Sequence, residues 1–307
     1  MSKFEEIIED FQPKADPPLA EKLKIENYDG IYKFLPEISD FLKTEIEFHD
    51  QIYQDEEEVH QLNALRNKFY HDYFKKWIYK LSKDSVILEV GGGSGYDLLP
   101  LLEKSYSVIE SDISIESIKF IKSKIDNKYP QYKNQIIYLV SDGQNLPLDS
   151  NSIEATFMVA SFHHFQDQQK AMAEIKRVTK KGGLIILAME PSRFMMWFTK
   201  LFQKSKILRI HQGYSEADET HAGYAKSEFI KILSFKPAVL KIKRVWLICG
   251  FLHYGLEAIY RIFKLKKRIK IPKFIEAILI VIDEILLKIP IVNLLNFHWI
   301  IIIKNDS

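Results

Sequence analysis

Between about Glu37 and Leu81, apolar and aromatic side chains return every three or four positions, as Phe69, Tyr73, Phe74, Trp77 and Leu81 do. This period predicts amphipathic helices. From Val86 the pattern changes to short, nearly continuous apolar runs with helical stretches between them: Val86 to Val90, Ser107 to Ile109, Ile136 to Val140, Ala155 to Ala160 and Leu184 to Ala188. Strands buried on both faces read this way, and their alternation with helices predicts a parallel sheet joined by crossovers. The helix Gln169 to Val178 closes on Lys180-Lys181-Gly182-Gly183, where cations suit the negative helix end and glycine permits a left-handed exit. Regularity is lost from Pro191 to Ala225, and another helix is expected from Lys226 to Ser234. Two last strands, Val239 to Ile248 and Phe297 to Lys304, stand on either side of a long apolar and basic helical insertion. The expected architecture is α/β, a mostly parallel seven-stranded sheet with helices on both faces. Residues 1–81 form a helical cap, 82–252 the core, 253–296 the insertion before the last strand, and 297–307 that strand.

Composition narrows the partners more than the fold. A chain of 307 residues can bury a full core as one large domain or two small ones. Its 43 basic and 41 acidic residues leave a net charge of only +2, which is no electrostatic footprint for nucleic acid. Cys249 is the single cysteine, so an internal disulfide and a multi-cysteine zinc site are excluded; no metal is expected. That usage fits a reducing compartment, and a cytoplasmic location is the expectation. The acidic start, Met1 to Asp10, lacks the basic and apolar regions of an export signal. Two apolar segments, Val245 to Leu256 and Ile278 to Ile303, are interrupted by His253 and by Asp283, Glu284, Lys288, Pro290 and His298. Neither supplies the roughly 20 apolar residues of a membrane-spanning helix.

The chemistry begins where the first strand runs into Glu89-Val90-Gly91-Gly92-Gly93-Ser94-Gly95. Glycines without Cβ let a backbone approach a ligand, and the helix start beyond them offers unpaired N–H groups to a negative group. A dinucleotide fingerprint needs a small residue where Tyr96 stands, and no Gly-Lys-Ser/Thr follows to make a phosphate loop. Asp112 ends the next strand about 20 residues on, the spacing at which a carboxylate accepts ribose hydroxyls, although NAD sites share it. Asp142 follows the third strand and opens Ser141-Asp142-Gly143-Gln144-Asn145-Leu146-Pro147-Leu148, where a side-chain oxygen can accept from an adenine amino group.

With these motifs in series, Val86 to Pro191 resembles the class I S-adenosylmethionine (SAM)-dependent methyltransferases, in the branch of the ubiquinone/menaquinone-biosynthesis and small-molecule enzymes. Glu110-Ser111-Asp112-Ile113-Ser114, Ala160-Ser161-Phe162-His163-His164-Phe165 and Glu174 to Gly183 carry the likeness onward. The resemblance implies a Rossmann-like core with SAM as cofactor. Glu89 would orient the glycine loop, Gly91, Gly93 and Gly95 would lie against the methionine part, and Asp112 with Ile113 would hold the ribose. Asp142, Gly143 and Gln144 would frame the adenine, and Ser161 would also contact the cofactor. Gly92 departs from the family, where this position is more varied, and is expected only to loosen the loop.

Methyl transfer requires alignment of donor and acceptor, and a base where the acceptor must lose a proton. His163 and His164, at the carboxyl edge of the sheet, are the candidates. Glu190, His211, Tyr214, His221 and Tyr224 are candidates for the acceptor pocket, against the plainer reading of loop anchors. Arg66 is placed either on the methionine carboxylate or in solvent. The insertion carries Arg261, Lys264, Lys266, Lys267, Arg268, Lys270 and Lys273 beside the apolar run from Phe274 to Lys288. Its broad apolar face, within residues 257–289, must be covered by the core as a lid, by a second copy in a homodimer or by a bilayer. A peripheral membrane contact would imply a lipid-borne acceptor in place of a water-soluble small molecule. The expected function is O- or C-methylation of a small or lipophilic molecule. The alternative is a non-catalytic SAM-binding scaffold or a membrane-recruited interaction protein.

Overall fold

A computed structural model of the chain describes residues 26–35, 38–54, 64–203, 215, 217, 221–232 and 238–306. Nine strands form one sheet: β1 (Glu26–Tyr28), β2 (Ile31–Phe34), β3 (Val86–Val90), β4 (Ser107–Asp112), β5 (Ile136–Ser141), β6 (Ile153–Val159), β7 (Thr179–Pro191), β8 (Ala238–Val245) and β9 (His298–Lys304). Their spatial order is β1-β2-β5-β4-β3-β6-β7-β9-β8. The block from β2 through β5, β4, β3 and β6 to β7 is parallel, and β9 runs antiparallel to both β7 and β8.

The helices are α1 (Asp40–Gln54), α2 (Leu65–Ile78), α3 (Leu98–Leu102), α4 (Ile115–Lys128), α5 (Gln168–Val178), α6 (Arg193–Gln203), α7 (Lys226–Ile232), α8 (Ile248–Ile262) and α9 (Lys273–Leu286). One hydrophobic layer joins the sheet to Tyr70, Phe74 and Ile78 of α2 and to Ile118, Ile121 and Ile125 of α4. The other joins it to Met172 and Ile175 of α5 and Phe229 of α7. All five residues of β3 and all six of β5 are buried, which is why the central strands read as continuous apolar runs. Helix starts are set locally: Ser114 accepts from Ser117 N–H to open α4, and Asp167 accepts from Gln169 and Lys170 N–H to open α5.

Three details differ from the expectation. The sheet has nine strands, because residues 26–34, assigned to a helical cap, form a hairpin whose second strand pairs with β5. Its two-residue turn, Asp29-Gly30, takes positive φ at both positions, the geometry that matches strand twist. β7 begins at Thr179, directly after α5, so the left-handed Gly182 lies inside the strand and not in a loop before it. Strand eight ends at Val245, and the insertion starts with α8 at Ile248.

Candidate active site

β3 is the point where the chain winds away in both directions, with β4 on one side and β6 on the other. Open α/β sheets form their ligand crevice at such a switch, beyond the carboxyl ends of the strands. Along that edge the strand order places Asp142, Asp112, Gly91, Ser161 and Glu190 after or at the ends of β5, β4, β3, β6 and β7.

In the glycine turn, Gly91, Gly93 and Gly95 all hold left-handed φ values of 76°, 57° and 62°. A Cβ on Gly91 would stand 2.5 Å from Ser161 Cβ, and Ser161 Oγ donates to Val90 O at 2.8 Å. Ser161 thus ties the ends of β3 and β6 together. Asp112 accepts from Gly93 N–H at 2.9 Å through one oxygen and from Ser114 N–H at 2.9 Å through the other. Each oxygen has a second lone pair, so the carboxylate braces the turn and can still accept ribose hydroxyls. Ile113, the next residue, is half-buried. Asp142 accepts from the backbone N–H of Gln144 at 3.0 Å and from its side-chain amide at 2.9 Å. Gly143 between them has no room for a Cβ, which would meet Phe165 at 2.6 Å and Val90 at 2.8 Å. The donor set fits SAM at this edge: two buried carboxylates with remaining acceptor capacity, and a glycine turn between them and a cavity.

Gly92 is not the loosening substitution expected of it. A Cβ there would fall 1.6 Å from Glu110 Oε1, so glycine is what lets the turn lie on that carboxyl. Glu110 and Glu89 are register partners on β4 and β3, both buried; Glu89 Oε2 and both Glu110 oxygens meet no hydrogen-bond partner among the described residues. Burial pushes Glu110 up to about 8 and holds Glu89 well above the usual carboxylate range. A carboxyl raised in the folded state stabilises fully below its unfolded value and loses that contribution as pH rises through the folded one. The contribution of Glu110 to folding stability is therefore expected to decline between about pH 5 and 8, and the stability gap between Glu110→Gln and the parent to widen in the variant's favour across that range in thermal melts.

Sequence reasoning missed the group that grips the far end of the turn. Asp97, buried beside Tyr96, binds His71 Nδ1 at 2.7 Å and Lys75 Nζ at 2.7 Å, both from α2. His71 also meets the Tyr96 ring edge-on at 4.8 Å. The available signal was the i, i+4 spacing of His71 and Lys75 on one helix face. The contacts that α1 makes with the site were missed in the same way. Its Asp50 accepts from Ser114 Oγ at 2.6 Å, while its Glu45 accepts from Ala217 N–H at 3.1 Å and contacts His164 Nδ1 at 2.9 Å.

His163 is mostly buried, and its Nδ1 lies 3.0 Å from Glu190 Oε2. Glu190 was placed in the acceptor pocket, but it sits fully buried behind it. Its carboxylate accepts from the N–H groups of Ser161, Phe162 and His163, holding the turn that carries the histidine. A carboxylate can only accept, so His163 Nδ1 carries a proton. His163 and His221 line a cavity of about 300 Å³ with Phe41, Phe165, Gln166, Gln168, Ala217 and Ala222. Burial, then the neighbouring His163, lowers His221 to about 4, so it is neutral at pH 7; its Nδ1 accepts from Gly223 N–H at 2.9 Å.

His164 turns the other way. Glu45, His49 and His164 bring donor atoms within 4.8 Å of one another, a grouping that the expectation of no metal did not include. Tyr224 was a pocket candidate, but its ring is buried against Phe229 at 4.4 Å and its carbonyl accepts from Trp299 Nε1, so it backs His221 from the core. His211 and Tyr214 lie outside the described residues. Arg66 is neither solvated nor spent on a cofactor: it is buried, paired with Glu276 of α9 and 3.0 Å from His253 of α8.

Residues 88–187 match the family model described as "Methyltransferase domain". A demethylmenaquinone methyltransferase of Paenarthrobacter aurescens is 26% identical over 102 residues, 33% of this chain and 37% of that protein. A malonyl-[acyl-carrier protein] O-methyltransferase of Hamiltonella defensa is 29% identical over 106 residues, 34% of this chain and 38% of that protein. The chain thus spans well under half the length of these curated relatives. The solved structure of a geranyl diphosphate methyltransferase in complex with SAM superposes with a TM-score of 0.52 at 12% identity, covering 81% of this chain and 87% of that one. At that identity the likeness is one of fold.

Proposed function

Since residues 88–187 are a methyltransferase domain of the class I SAM-dependent type, we propose that this chain methylates a small lipophilic molecule at oxygen or carbon, with His163 as the base. The observation that carries the reading is the series along one sheet edge: Asp142, Asp112, the glycine turn, then His163 at an open cavity. SAM supplies an electrophilic methyl group when bound. Asp142 and Gln144 would take its adenine, Asp112 its ribose, and the Gly91–Gly95 turn its methionine end. The protein's part is to hold the acceptor in line and keep water out, which is where most of the rate of such a displacement comes from.

His163 supplies the remaining step. Glu190 fixes its Nδ1–H, so in the neutral ring Nε2 is the nitrogen that would take the proton leaving an acceptor hydroxyl or acidic carbon. Neutral His221 beside it adds no positive charge that would oppose that transfer. A cavity of about 300 Å³ is at the small end of ligand sites and holds a ring-sized head; a longer apolar tail extends beyond it. The aliphatic and aromatic walls formed by Phe41, Phe165, Ala217 and Ala222 suit such a head.

Two measurements test this. S-adenosylhomocysteine at about 100 times its Kd should stabilise the fold by about 2.7 kcal/mol, and NAD should not; no shift with the former removes the cofactor assignment. His163→Ala should lower labelled methyl transfer into cell-extract lipids about 10²- to 10⁴-fold while leaving S-adenosylhomocysteine affinity unchanged. Unchanged transfer in that variant would make His163 a packing residue.

A further inference from the structure

We propose that the appendage between β8 and β9 is a docking face for an anionic lipid bilayer. α9 is amphipathic in the reverse of the usual sense for a helix on a protein surface. Its buried side carries Glu276, Ile280 and Asp283, followed by Leu287, whereas its exposed side carries Phe274, Ile278, Val281 and Ile285 at the same helical steps. Phe274 is 68% exposed, Val281 58% and Ile285 57%. The apolar surface continues beyond the helix, with Phe263 69% and Ile291 80% exposed.

The carboxylates explain the inversion. Glu276 pairs with Arg66, and Asp283 accepts from the N–H groups of Leu247, Ile248 and Cys249 to cap α8. Glu284 takes Tyr70 and Lys243, and Glu257 takes Arg268. Each acid of the appendage is thus turned inward onto a partner. What remains outside is apolar side chains and cations: Lys264, Lys266, Lys267, Lys270 and Lys273 are all exposed, with no acidic residue among them in sequence.

An apolar stripe bordered by lysines complements an anionic membrane surface, where the stripe enters the acyl boundary and the ammonium groups meet headgroup phosphates. A second copy fits less well, because it would bring the lysine rows of both copies to one interface. Among the described residues no helix is long and apolar enough to cross a membrane, so the contact lies on the surface.

Sedimentation of the full chain with phosphatidylglycerol/phosphatidylcholine vesicles tests this, compared at low salt and 0.5 M salt and with phosphatidylcholine alone. The expected result is binding to anionic vesicles that weakens at high salt. Lys266→Glu with Lys267→Glu should weaken it roughly 25-fold or more, at about five-fold per cation near such a surface. Ile278→Glu with Ile285→Glu should abolish it while thermal stability and S-adenosylhomocysteine binding persist. Two results overturn the proposal: the wild-type chain staying in the supernatant at low salt, or a dimer that the isoleucine variant dissolves with no vesicle binding. Sedimentation does not read methyl transfer, so its failure leaves the cofactor site where it stands.

Discussion

Replacing Asp97 with alanine is expected to lower folding stability by about 3–5 kcal/mol, the cost of leaving a buried charge without its partner. Lys75 is almost fully buried, and its short contact is to Asp97; Asp72, at 3.7 Å, is partly exposed and cannot replace it. Burial works to raise the Asp97 carboxyl, but His71 and Lys75 outweigh it and hold it below the usual carboxylate range. Its contribution is therefore present above the ordinary carboxylate value and is lost as pH falls through the depressed one. Urea denaturation at pH 7 reads the loss directly, and the variant's melting point should respond less to acid than that of the parent. A change under 1 kcal/mol would mean that Lys75 finds water in the folded state and that the grip of α2 on the turn is incidental. The same variant should bind S-adenosylhomocysteine more weakly, because Asp97 anchors the chain just past Gly95.

Asp112→Ala is expected to weaken S-adenosylhomocysteine binding by roughly a hundred-fold or more, measured by calorimetry. Charge-assisted hydrogen bonds contribute about 1.5–3 kcal/mol each, and two are expected from the ribose. The substitution also frees Gly93 and Ser114 N–H, so part of the loss comes from a turn that must be ordered anew on binding. Asp112→Asn, which can keep one acceptor but loses the charge, should fall between the two. An affinity within three-fold of the parent would remove Asp112 from the cofactor site.

The strands and their order of use were legible because parallel strands covered on both faces leave unbroken apolar text, and because glycine and aspartate at their ends have few other reasons to recur. The β1–β2 hairpin was not legible. Glu26, Asn27 and Tyr28 are all exposed, so the edge strand shows no alternation; it pairs with β2, and the pairing of β2 with β5 decides the hairpin's conformation. The grip on Asp97 joins residues 26 positions apart, and periodicity cannot report which face of a helix meets which turn. Glu190 and Tyr224 were sought in the acceptor pocket, but chain position says nothing of whether a side chain points into a cavity or back into the sheet. For α9 the period revealed two faces, and in the chain alone the apolar one stands exposed. The buried face was the acidic one, chosen by Arg66 and by the open N-terminus of α8.

α2 holds the glycine turn through His71 and Lys75 and the appendage through Arg66, which lies about 8 Å of helix from the first and about 14 Å from the second at 1.5 Å per residue. A strut fastened at both ends couples the two places only where its seating has two states that both ends bias. If a surface on the appendage favours one seating of the helix, the factor by which it changes cofactor affinity equals the factor by which cofactor changes affinity for that surface. The distribution of this protein between its free and surface-held populations would then follow the supply of its methyl donor.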